Sequence, residues 1–338
     1  MFHLDESFPV TWIKEKLSQN GSVILEGPAC KKLAGRAAKI AWALLRFMIL
    51  FGLSFIILYP LLYMLSVSFR ETHELFDPTV VWIPRTFTLE NIGKVMEIIE
   101  YPTTLWKTLR IALPCALLQT LTCAITGYGF ARFRFKGRKI LFVMVLLTLI
   151  VPPQTITMPQ YINYANVTAW TAQLTGGDGV KLLDTIVPLL LPALFGIGIR
   201  AGLFVYLCRQ YFRNMPLEME DAAYIDGCGP MAAFWRIMIV NAGPILLVCF
   251  LFSFVWYWND YLNVSLFYTN ARPLSVVVAS LRDYLNTSFL EDGSAYSRAA
   301  VNIYVLTACL LFVFPVLLLY IFLQKYFTQS VVQSGIVG

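Results

Sequence analysis

Six long apolar segments decide what this chain can fold into. A membrane-spanning helix needs about 20 mainly apolar residues, and each segment reaches or approaches that length. Of all residues, 58% are hydrophobic and only 14% are charged, whereas soluble domains carry about 25% charged residues. The segments cover residues 47–69, 111–131, 140–161, 185–207, 237–259 and 299–324. We therefore predict an all-α polytopic membrane protein with six transmembrane helices.

The basic residues predict how these helices are oriented. Six crossings place both termini on one side, and most Lys and Arg residues fall on that side. The loop after the second segment, for example, holds basic residues and no acidic one: Arg132, Arg134, Lys136, Arg138 and Lys139. Such an excess marks the cytoplasmic side. Both termini are thus expected in the cytoplasm, and the net charge of +6 reflects topology and predicts no nucleic-acid partner.

The same pattern divides the chain into segments. Residues 1–39 form a cytoplasmic N-terminal tail, in which residues 9–20 have the spacing of a short amphipathic helix. Residues 40–104 hold the first transmembrane helix and an outer loop, and residues 105–325 form a core of five helices. A cytoplasmic loop at 213–236 belongs to that core, and residues 326–338 form a C-terminal tail.

Several chemistries are missing from the sequence. The two histidines, His3 and His73, lie outside the apolar segments, and no segment contains an Asp or Glu. Proton-coupled carriers need ionisable groups at membrane depth, and hydrolases need a nucleophile beside a base. The sequence also lacks a Gly-rich phosphate-binding loop and a paired-cysteine metal motif. We expect no catalytic residue, no bound cofactor and no metal, so energy for active transport would come from a partner.

Three residues are candidates for contact with a transported molecule. Arg200 is the one charge within the segments, and it either lines a substrate path or lies near a broken helix, since Gly196, Gly198 and Gly202 surround it. Trp256 and Tyr257 could stack on a transported molecule, but their place at the outer end of the fifth segment favours an aromatic belt at the membrane interface.

An acidic stretch lies in the otherwise basic loop at 213–236. Acidic residues near the first turn suit the positive end of a helix dipole, and Gly227 suits a helix end. The spacing puts Glu218, Asp221, Ala222 and Ile225 on one helix face. Because anionic lipid would repel such a helix, we predict that it contacts another protein. The candidate docking residues are Glu218, Glu220, Asp221, Ala222, Ala223, Ile225, Asp226 and Gly227.

These residues resemble the cytoplasmic loop signature of bacterial ABC importer permeases. That signature reads Glu-Ala-Ala, three residues, Gly, nine residues, then Ile-x-Leu-Pro. Asp221-Ala222-Ala223, Gly227 and Ile237 stand at the matching spacing. Asp221 replaces the Glu and keeps its charge, while Ile239 and Val240 replace the Leu and Pro.

Further blocks resemble the carbohydrate branch of that family, in particular its inner, maltose-type permease subunit. They are Leu89-Glu90-Asn91, the run from Tyr128 to Lys139, Trp258-Asn259-Asp260, and Gln324-Lys325-Tyr326-Phe327 with the closing Gly335. The family's Lys before the last Gly is Val337 here. The resemblance covers about residues 70–338.

The resemblance implies a fold and a set of partners. The chain would be a type I ABC importer permease in the bacterial plasma (inner) membrane, with the acidic helix as its coupling helix. It would pair with a second, homologous permease, and two ABC ATPase subunits would bind ATP and magnesium beneath them. An external solute-binding protein would deliver a sugar or oligosaccharide, and membrane lipid would surround the assembly.

Three alternatives stay open from the sequence. The same machinery could carry glycerol-phosphate or another polyol, with Arg200 serving an anionic group. A stand-alone channel or secondary carrier would have no use for the acidic loop as a dock. A membrane-embedded enzyme would need the histidines and acids that the segments lack.

Overall fold

The computed structural model describes residues 28–71, 73, 74, 77, 82–289 and 295–335. Within them the chain is helical, with an isolated antiparallel bridge between Arg70 and Phe87. The helices are α1 (Pro28–Ser68), α2 (Glu90–Ile98), α3 (Tyr101–Arg132), α4 (Arg138–Leu147), α5 (Pro153–Thr175), α6 (Val187–Leu194), α7 (Ala201–Asn214), α8 (Glu218–Ile225), α9 (Pro230–Asn241), α10 (Gly243–Trp258), α11 (Leu262–Phe267), α12 (Leu274–Phe289) and α13 (Ala295–Gly335). The predicted all-α class is confirmed. The predicted helix over residues 9–20 lies outside the described residues.

The chain divides into two compact units, residues 1–62 and residues 63–338. In the first unit, the described part of α1 is apolar around its circumference, and Phe47, Leu50 and Ile56 are all exposed. A helix that is apolar on every side suits a lipid environment. The stretch Ala38–Ser68 is long and apolar enough to cross a membrane, in agreement with the first predicted segment.

Helix α3 is the central element of the second unit. It packs along α7 and α10, and one of its glycines permits the close approach. A Cβ atom on Gly127 would lie 2.6 Å from Cys208 Cβ and 2.8 Å from the Arg209 nitrogen on α7. Because the real residue has no side chain, the two backbones can pack directly, as membrane helices commonly do.

Three of the six predicted segments are not continuous helices, and proline and glycine explain the breaks. The segment at 140–161 divides at Pro152 and Pro153, between α4 and α5. The segment at 185–207 divides between α6 and α7, where Gly196 has a φ of +69°. The segment at 237–259 bends by 78° between α9 and α10, just before Pro244. Proline removes a backbone donor and clashes with the preceding turn, and glycine enters the left-handed region without steric cost, so these three segments divide or bend at these residues.

The remaining segments correspond to long helices. Among the described residues, α1, α3 and α13 could each cross a membrane by length and composition, and the bent α9–α10 pair could supply a fourth crossing. Helix α13 continues to Gly335, beyond the predicted start of a tail at residue 326. The count of six crossings stays a prediction.

Two buried clusters form the core of the second unit. The larger one joins α3, α10, α12 and α13, with Trp258, Leu285 and Ile303 at its centre. The smaller one surrounds Phe204 and Phe212 of α7. The smaller cluster supports the acidic helix α8, as described next.

Candidate functional site

Helix α8 forms where the sequence predicts the acidic docking helix. Glu218, Glu220 and Asp221 all lie in its first turn, where the positive end of the helix dipole stabilises negative charge. The backbone N–H groups of Glu220 and Asp221 donate to the Leu217 carbonyl at 2.9 and 3.0 Å. The local sequence therefore accounts for the start of the helix.

The end of α8 is a Schellman motif. Gly227 adopts a φ of +81°, which places it in the left-handed region that glycine enters without steric cost. The Gly227 N–H donates to the Tyr224 carbonyl at 3.1 Å, and the Cys228 N–H donates to the Ala223 carbonyl at 2.9 Å. These two bonds define the motif. Helix α9 then begins at Pro230, so the predicted stop at Gly227 is confirmed.

The eight candidate docking residues separate into two faces. Glu218, Asp221, Ala222 and Ile225 are exposed, as their spacing predicts, and Ile225 is 86% exposed. Asp226 and Gly227 are also exposed at the end of the helix. Glu220 and Ala223, by contrast, are only 5% and 1% exposed. These two residues are buried against their own chain and are not on the exposed face of α8.

An ion pair attaches the buried face of α8 to α3. Arg132 Nε lies 3.3 Å from Glu220 Oε1, and both side chains are more than nine-tenths buried. The two atoms make no hydrogen bond of good geometry, so their contact is electrostatic. Arg132 also donates from Nη2 to the Met215 carbonyl at 2.8 Å. The sequence predicted no partner for Arg132, whose charge was used there to assign the topology. An arginine that follows an apolar helix on the same side as an acidic loop is the signal that could have predicted the pair.

An aromatic cluster supports this ion pair from inside the bundle. The Tyr128 ring of α3 lies 5.5 Å from the Phe212 ring of α7 and 4.8 Å from the Phe234 ring of α9. Residues 234–238 form a π-helical turn within α9, and such turns are frequent at functional sites. Displacement of α8 would thus act on three helices through closely packed rings.

Arg200 lies at the break between α6 and α7. It is the residue before the first turn of α7 and has a φ of +56°, and its side chain is exposed. The neighbouring carbonyl of Ile199 accepts a hydrogen bond from Gln119. Gln119 precedes Arg132 by thirteen positions on α3, which is about 20 Å of helix. Arg200 therefore lies at a broken helix beside the middle of the apolar helix α3, and the broken helix agrees with one of the two interpretations.

Trp256 and Tyr257 both pack within the bundle. The Trp256 ring lies 5.2 Å from the Phe204 ring. Tyr257 is 4% exposed and donates its hydroxyl to Gln119 Oε1 at 2.7 Å. Belt residues need contact with the lipid interface, so the aromatic-belt interpretation is wrong for Tyr257. In this conformation its hydroxyl is engaged by protein.

A neutral polar network that was not predicted from the sequence surrounds Gln119. Its Nε2 donates to the Ile199 carbonyl at 2.7 Å and to Ser253 Oγ at 3.3 Å. Gly198 leaves room for it, because a Cβ atom there would lie 2.3 Å from Gln119 Oε1. The network joins the α6–α7 break to α3 and α10. A glutamine in an otherwise apolar segment was the available signal.

Asp260 lies beyond the far end of α10. Its two carboxylate oxygens accept the Asn263 N–H and the Asn263 side-chain amide, each at 3.1 Å, and its backbone carbonyl accepts from Ser275. Burial raises the pKa of this carboxyl to about 6, and the Asn263 hydrogen bonds oppose that rise in pKa. The Trp258-Asn259-Asp260 block thus holds a buried acid without a cation beside it in the described part of the chain.

Comparison with known proteins decides the family. Residues 106–333 match the model of the "binding-protein-dependent transport system inner membrane component" family. The chain belongs to this family. It is therefore a membrane component of a transport system that depends on a binding protein, and the resemblance seen in the loop signature is confirmed.

Individual relatives agree with this assignment. The arabinooligosaccharides transport system permease protein AraQ of Halalkalibacterium halodurans is 28% identical over 293 residues, which is 85% of this chain and 93% of that protein. The lactose transport system permease protein LacG of Rhizobium radiobacter is 26% identical over 283 residues, 83% of this chain and 92% of that protein.

A solved structure shares the fold. It is a chain of a bacterial ABC transporter involved in the import of the acidic polysaccharide alginate, with a TM-score of 0.65 and 19% identity. The match covers 86% of this chain and 98% of that chain. The predicted ABC importer permease fold is thereby confirmed.

Proposed function

We propose that the chain is a permease subunit of an ATP-driven importer and forms half of the pathway for a sugar or oligosaccharide. A solute-binding protein delivers the substrate from outside, and a second, homologous permease completes the pathway. The subunit catalyses no reaction. Two partner ATPases bind ATP and magnesium, and both termini of the chain lie in the cytoplasm.

The observation that carries this proposal is the division of α8 into two faces. The inner face is fixed by Arg132 and Glu220, while Glu218, Asp221 and Ile225 point outward. Among the described residues no ion pair involves Glu218 or Asp221. A helix held rigidly on one side, with acids and an exposed isoleucine on the other, suits a cleft in an ATPase. Closure of the ATPases would then move α8 and, through the rings of Tyr128, Phe212 and Phe234, the bundle.

The substrate class follows from the relatives. Proteins similar to this chain are named for the transport of arabinooligosaccharides, lactose and maltodextrin, and each match covers more than four-fifths of both chains. These names share carbohydrate as the transported class while differing in the sugar. A neutral or weakly charged saccharide is therefore the first substrate to test.

An anionic solute, such as an acidic saccharide or glycerol-phosphate, is the second candidate. Arg200 supports it, because this residue is exposed at membrane depth and no acidic residue of the described chain pairs with it. Charged side chains at that depth usually face a water-filled path or a partner subunit. The structural relative is described as taking part in the import of the acidic polysaccharide alginate, so an acidic saccharide is the anionic solute to test first.

Family membership argues against a stand-alone carrier, which would need neither a binding protein nor an ATPase. A membrane-embedded enzyme is equally unsupported, because the family comprises transport components.

Purification of the tagged chain in mild detergent tests the proposal. We expect an ABC ATPase and a second, different permease to be found with it by mass spectrometry. A matched preparation carrying Asp221→Lys should retain the permease and lose the ATPase. Recovery of the wild-type chain alone, or only with copies of itself, would contradict the proposed assembly. Uptake of labelled neutral and acidic saccharides, in wild type and in Arg200→Gln, then separates the two substrate classes.

A further inference from the structure

A second surface lies at the same end of the bundle as α8, and the proposed function does not use it. It is a shallow groove of about 480 Å³ at the turn between α3 and α4. Its lining includes Arg134, Arg138 and Lys139, together with Phe135 and Ile140. Arg209 of α7 lies close enough to both Arg138 and Arg213 to link them in one positive field. We call the set Arg134, Arg138, Lys139, Arg209 and Arg213 the basic groove.

The cations of the basic groove are not neutralised by the chain itself. None of them forms an ion pair with an acidic residue in the part of the chain that the structure describes. Arg209 is the clearest case, since its Nε is buried without a hydrogen-bond partner. Burial and the neighbouring Arg213 and Arg138 lower its pKa. Like charges held together in this way are unfavourable unless an anion joins them.

Aromatic rings hold these cations in position. The Arg209 guanidinium stacks over the Phe142 ring, 4.0 Å from its centre, and Phe142 packs on Phe130 at 5.6 Å. Arg138 donates from Nη1 to the Phe133 carbonyl at 3.0 Å. Gly137, with a φ of +83°, makes the tight turn that brings Arg138 back to this carbonyl. The groove is thus organised by its own chain, so little side-chain freedom remains to be lost on binding.

An apolar surface adjoins the positive groove. Ile140, Val143, Met144 and Leu147 of α4 are between 51% and 70% exposed. The groove is therefore a cluster of cations at the base of an exposed apolar helix. A phospholipid with an anionic headgroup has the matching pattern, because its phosphate can join the cations while its acyl chains cover the apolar side chains.

We propose that the basic groove binds the headgroup of an anionic phospholipid, whose acyl chains lie along α4. Arg138 and Arg209 contact the phosphate, while Arg134, Lys139 and Arg213 add to the positive field. The lipid relieves the repulsion among these cations and fixes the α3–α4 turn next to Arg132, the residue that anchors α8. The position of the groove at the α8 end is a property of the structure; that this end faces the cytoplasmic leaflet rests on the proposed function.

Lipid retention by the purified transporter tests the proposal. The complex would be purified from bacterial membranes in mild detergent, and its bound phosphatidylglycerol measured by native mass spectrometry. The double variant Arg138→Gln with Arg209→Gln removes two charges from the groove. Its matched control is Lys107→Gln with Arg110→Gln, which removes two charges near the opposite end of α3. We expect wild type and control to retain phosphatidylglycerol and the groove variant to lose it.

Titration gives the expected size of the effect. The complex in phosphatidylcholine nanodiscs would be titrated with phosphatidylglycerol. Each Lys or Arg near a lipid surface contributes about 1 kcal/mol to the binding of an anionic lipid, which is about fivefold in affinity. Loss of two cations should therefore weaken the affinity for phosphatidylglycerol about thirtyfold. The charge-preserving variant Arg138→Lys with Arg209→Lys should recover most of the affinity.

Equal phosphatidylglycerol retention by the groove variant and the control would overturn the proposal. Loss of the ATPase with unchanged lipid retention would also overturn it and would mark the groove as a protein dock. If the first variant fails to fold, Arg134→Gln with Lys139→Gln replaces it. Both side chains are exposed, and the same reduced retention is expected at a smaller size.

Discussion

Two buried carboxyl groups lie at different levels of the bundle and are stabilised in different ways. Glu220 is paired with the guanidinium of Arg132. Asp260 is held by the neutral donors of Asn263 and lies near Cys115. Cys115 precedes Arg132 by seventeen positions on α3, which is roughly 25 Å of helix. One acid thus has a permanent counter-charge, and the other has none in the described chain.

The two environments differ in whether the buried acid faces a charged group. Glu220 faces the guanidinium of Arg132, so the anchor of α8 is an ion pair. In the described chain, Asp260 faces only neutral donors, and burial raises its pKa to about 6, which is close to neutral pH. Between the two, the Gln119 network uses only amides, hydroxyls and carbonyls. A network of neutral groups avoids the free-energy cost of burying a charge at membrane depth.

Breaking the anchor pair should have the largest effect. Glu220→Ala leaves the Arg132 guanidinium buried without its counter-charge, which costs about 3–5 kcal/mol. We expect a lower unfolding temperature and loss of the co-purified ATPase. The double variant Arg132→Met with Glu220→Leu should recover much of the stability, because neither charge is then buried. Equal instability of the single and double variants would show that the ion pair is not the anchor.

Removing the neutral network should cost less. Gln119→Leu takes away the partner of the Tyr257 and Ser253 hydroxyls and of the Ile199 carbonyl. Because hydroxyls can rotate toward other partners, we expect a loss of about 1–3 kcal/mol, the cost of one buried group left unsatisfied. Unfolding of Gln119→Leu, Tyr257→Phe and the double variant forms a cycle that isolates the Gln119–Tyr257 coupling. Strictly additive losses would mean that these two side chains do not interact.

Asp260 should make stability depend on pH. Its pKa is raised to about 6 in the folded state, so the folded state binds the proton more tightly than the unfolded chain. Stability from this group is therefore present at low pH and is lost as the pH rises through about 6, at no more than about 1.4 kcal/mol per pH unit. Asp260→Asn should remove this slope in unfolding measured between about pH 4 and pH 7.

Asp184 offers a control of opposite sign. Its pKa is lowered by the hydrogen bond from Thr269, so its contribution is present above its unfolded pKa and is lost as the pH falls. Asp184→Asn should leave the Asp260 slope unchanged. An unaltered slope in Asp260→Asn would instead assign the pH dependence to another group.

A backbone change at Gly227 should have a smaller effect on stability and a large one on function. A side chain in the left-handed region costs about 1–2 kcal/mol, and nothing lies within 4 Å of a Cβ atom at this position. Gly227→Val should therefore abolish uptake through a misplaced α8 while membrane insertion remains normal. Gly227→Asn, which tolerates this conformation, should keep most of the uptake. Normal uptake by the valine variant would contradict the docking role.

Reversing a charge on the exposed face of α8 should affect stability least. Asp221→Lys opposes the helix dipole and costs about 0.3–1 kcal/mol, but it should release the ATPase from the purified complex. Asp178→Lys, in the loop after α5, makes the same change of charge as a control and should keep the ATPase. Stoichiometric ATPase in the Asp221 variant would place the contact elsewhere.

The limits of α8 and its exposed face could be predicted from the sequence. The acids at the start of α8 and the glycine at its end specify a short helix by local chemistry, and the structure has that helix. The spacing also gave the exposed set of Glu218, Asp221, Ala222 and Ile225. The loop signature placed the chain in its family before any fold was known.

Other features depend on residues far apart in the sequence. Glu220 and Ala223 were expected in the docking set, yet they are buried because α3 and α9 pack against them. Glu220 finds its partner 88 positions away in Arg132, and Gln119 finds Ser253 and Tyr257 more than 130 positions away. No local spacing encodes these pairs.

The sequence by itself determined an all-helical membrane protein, its family and the limits of the docking helix, because composition, dipole chemistry and the demands of a glycine act within a few residues. Tertiary structure alone decided which acids are buried, which distant polar groups pair, and which cations share one groove. Those outcomes depend on how α3, α7 and α10 pack, and packing joins side chains that the chain order keeps apart.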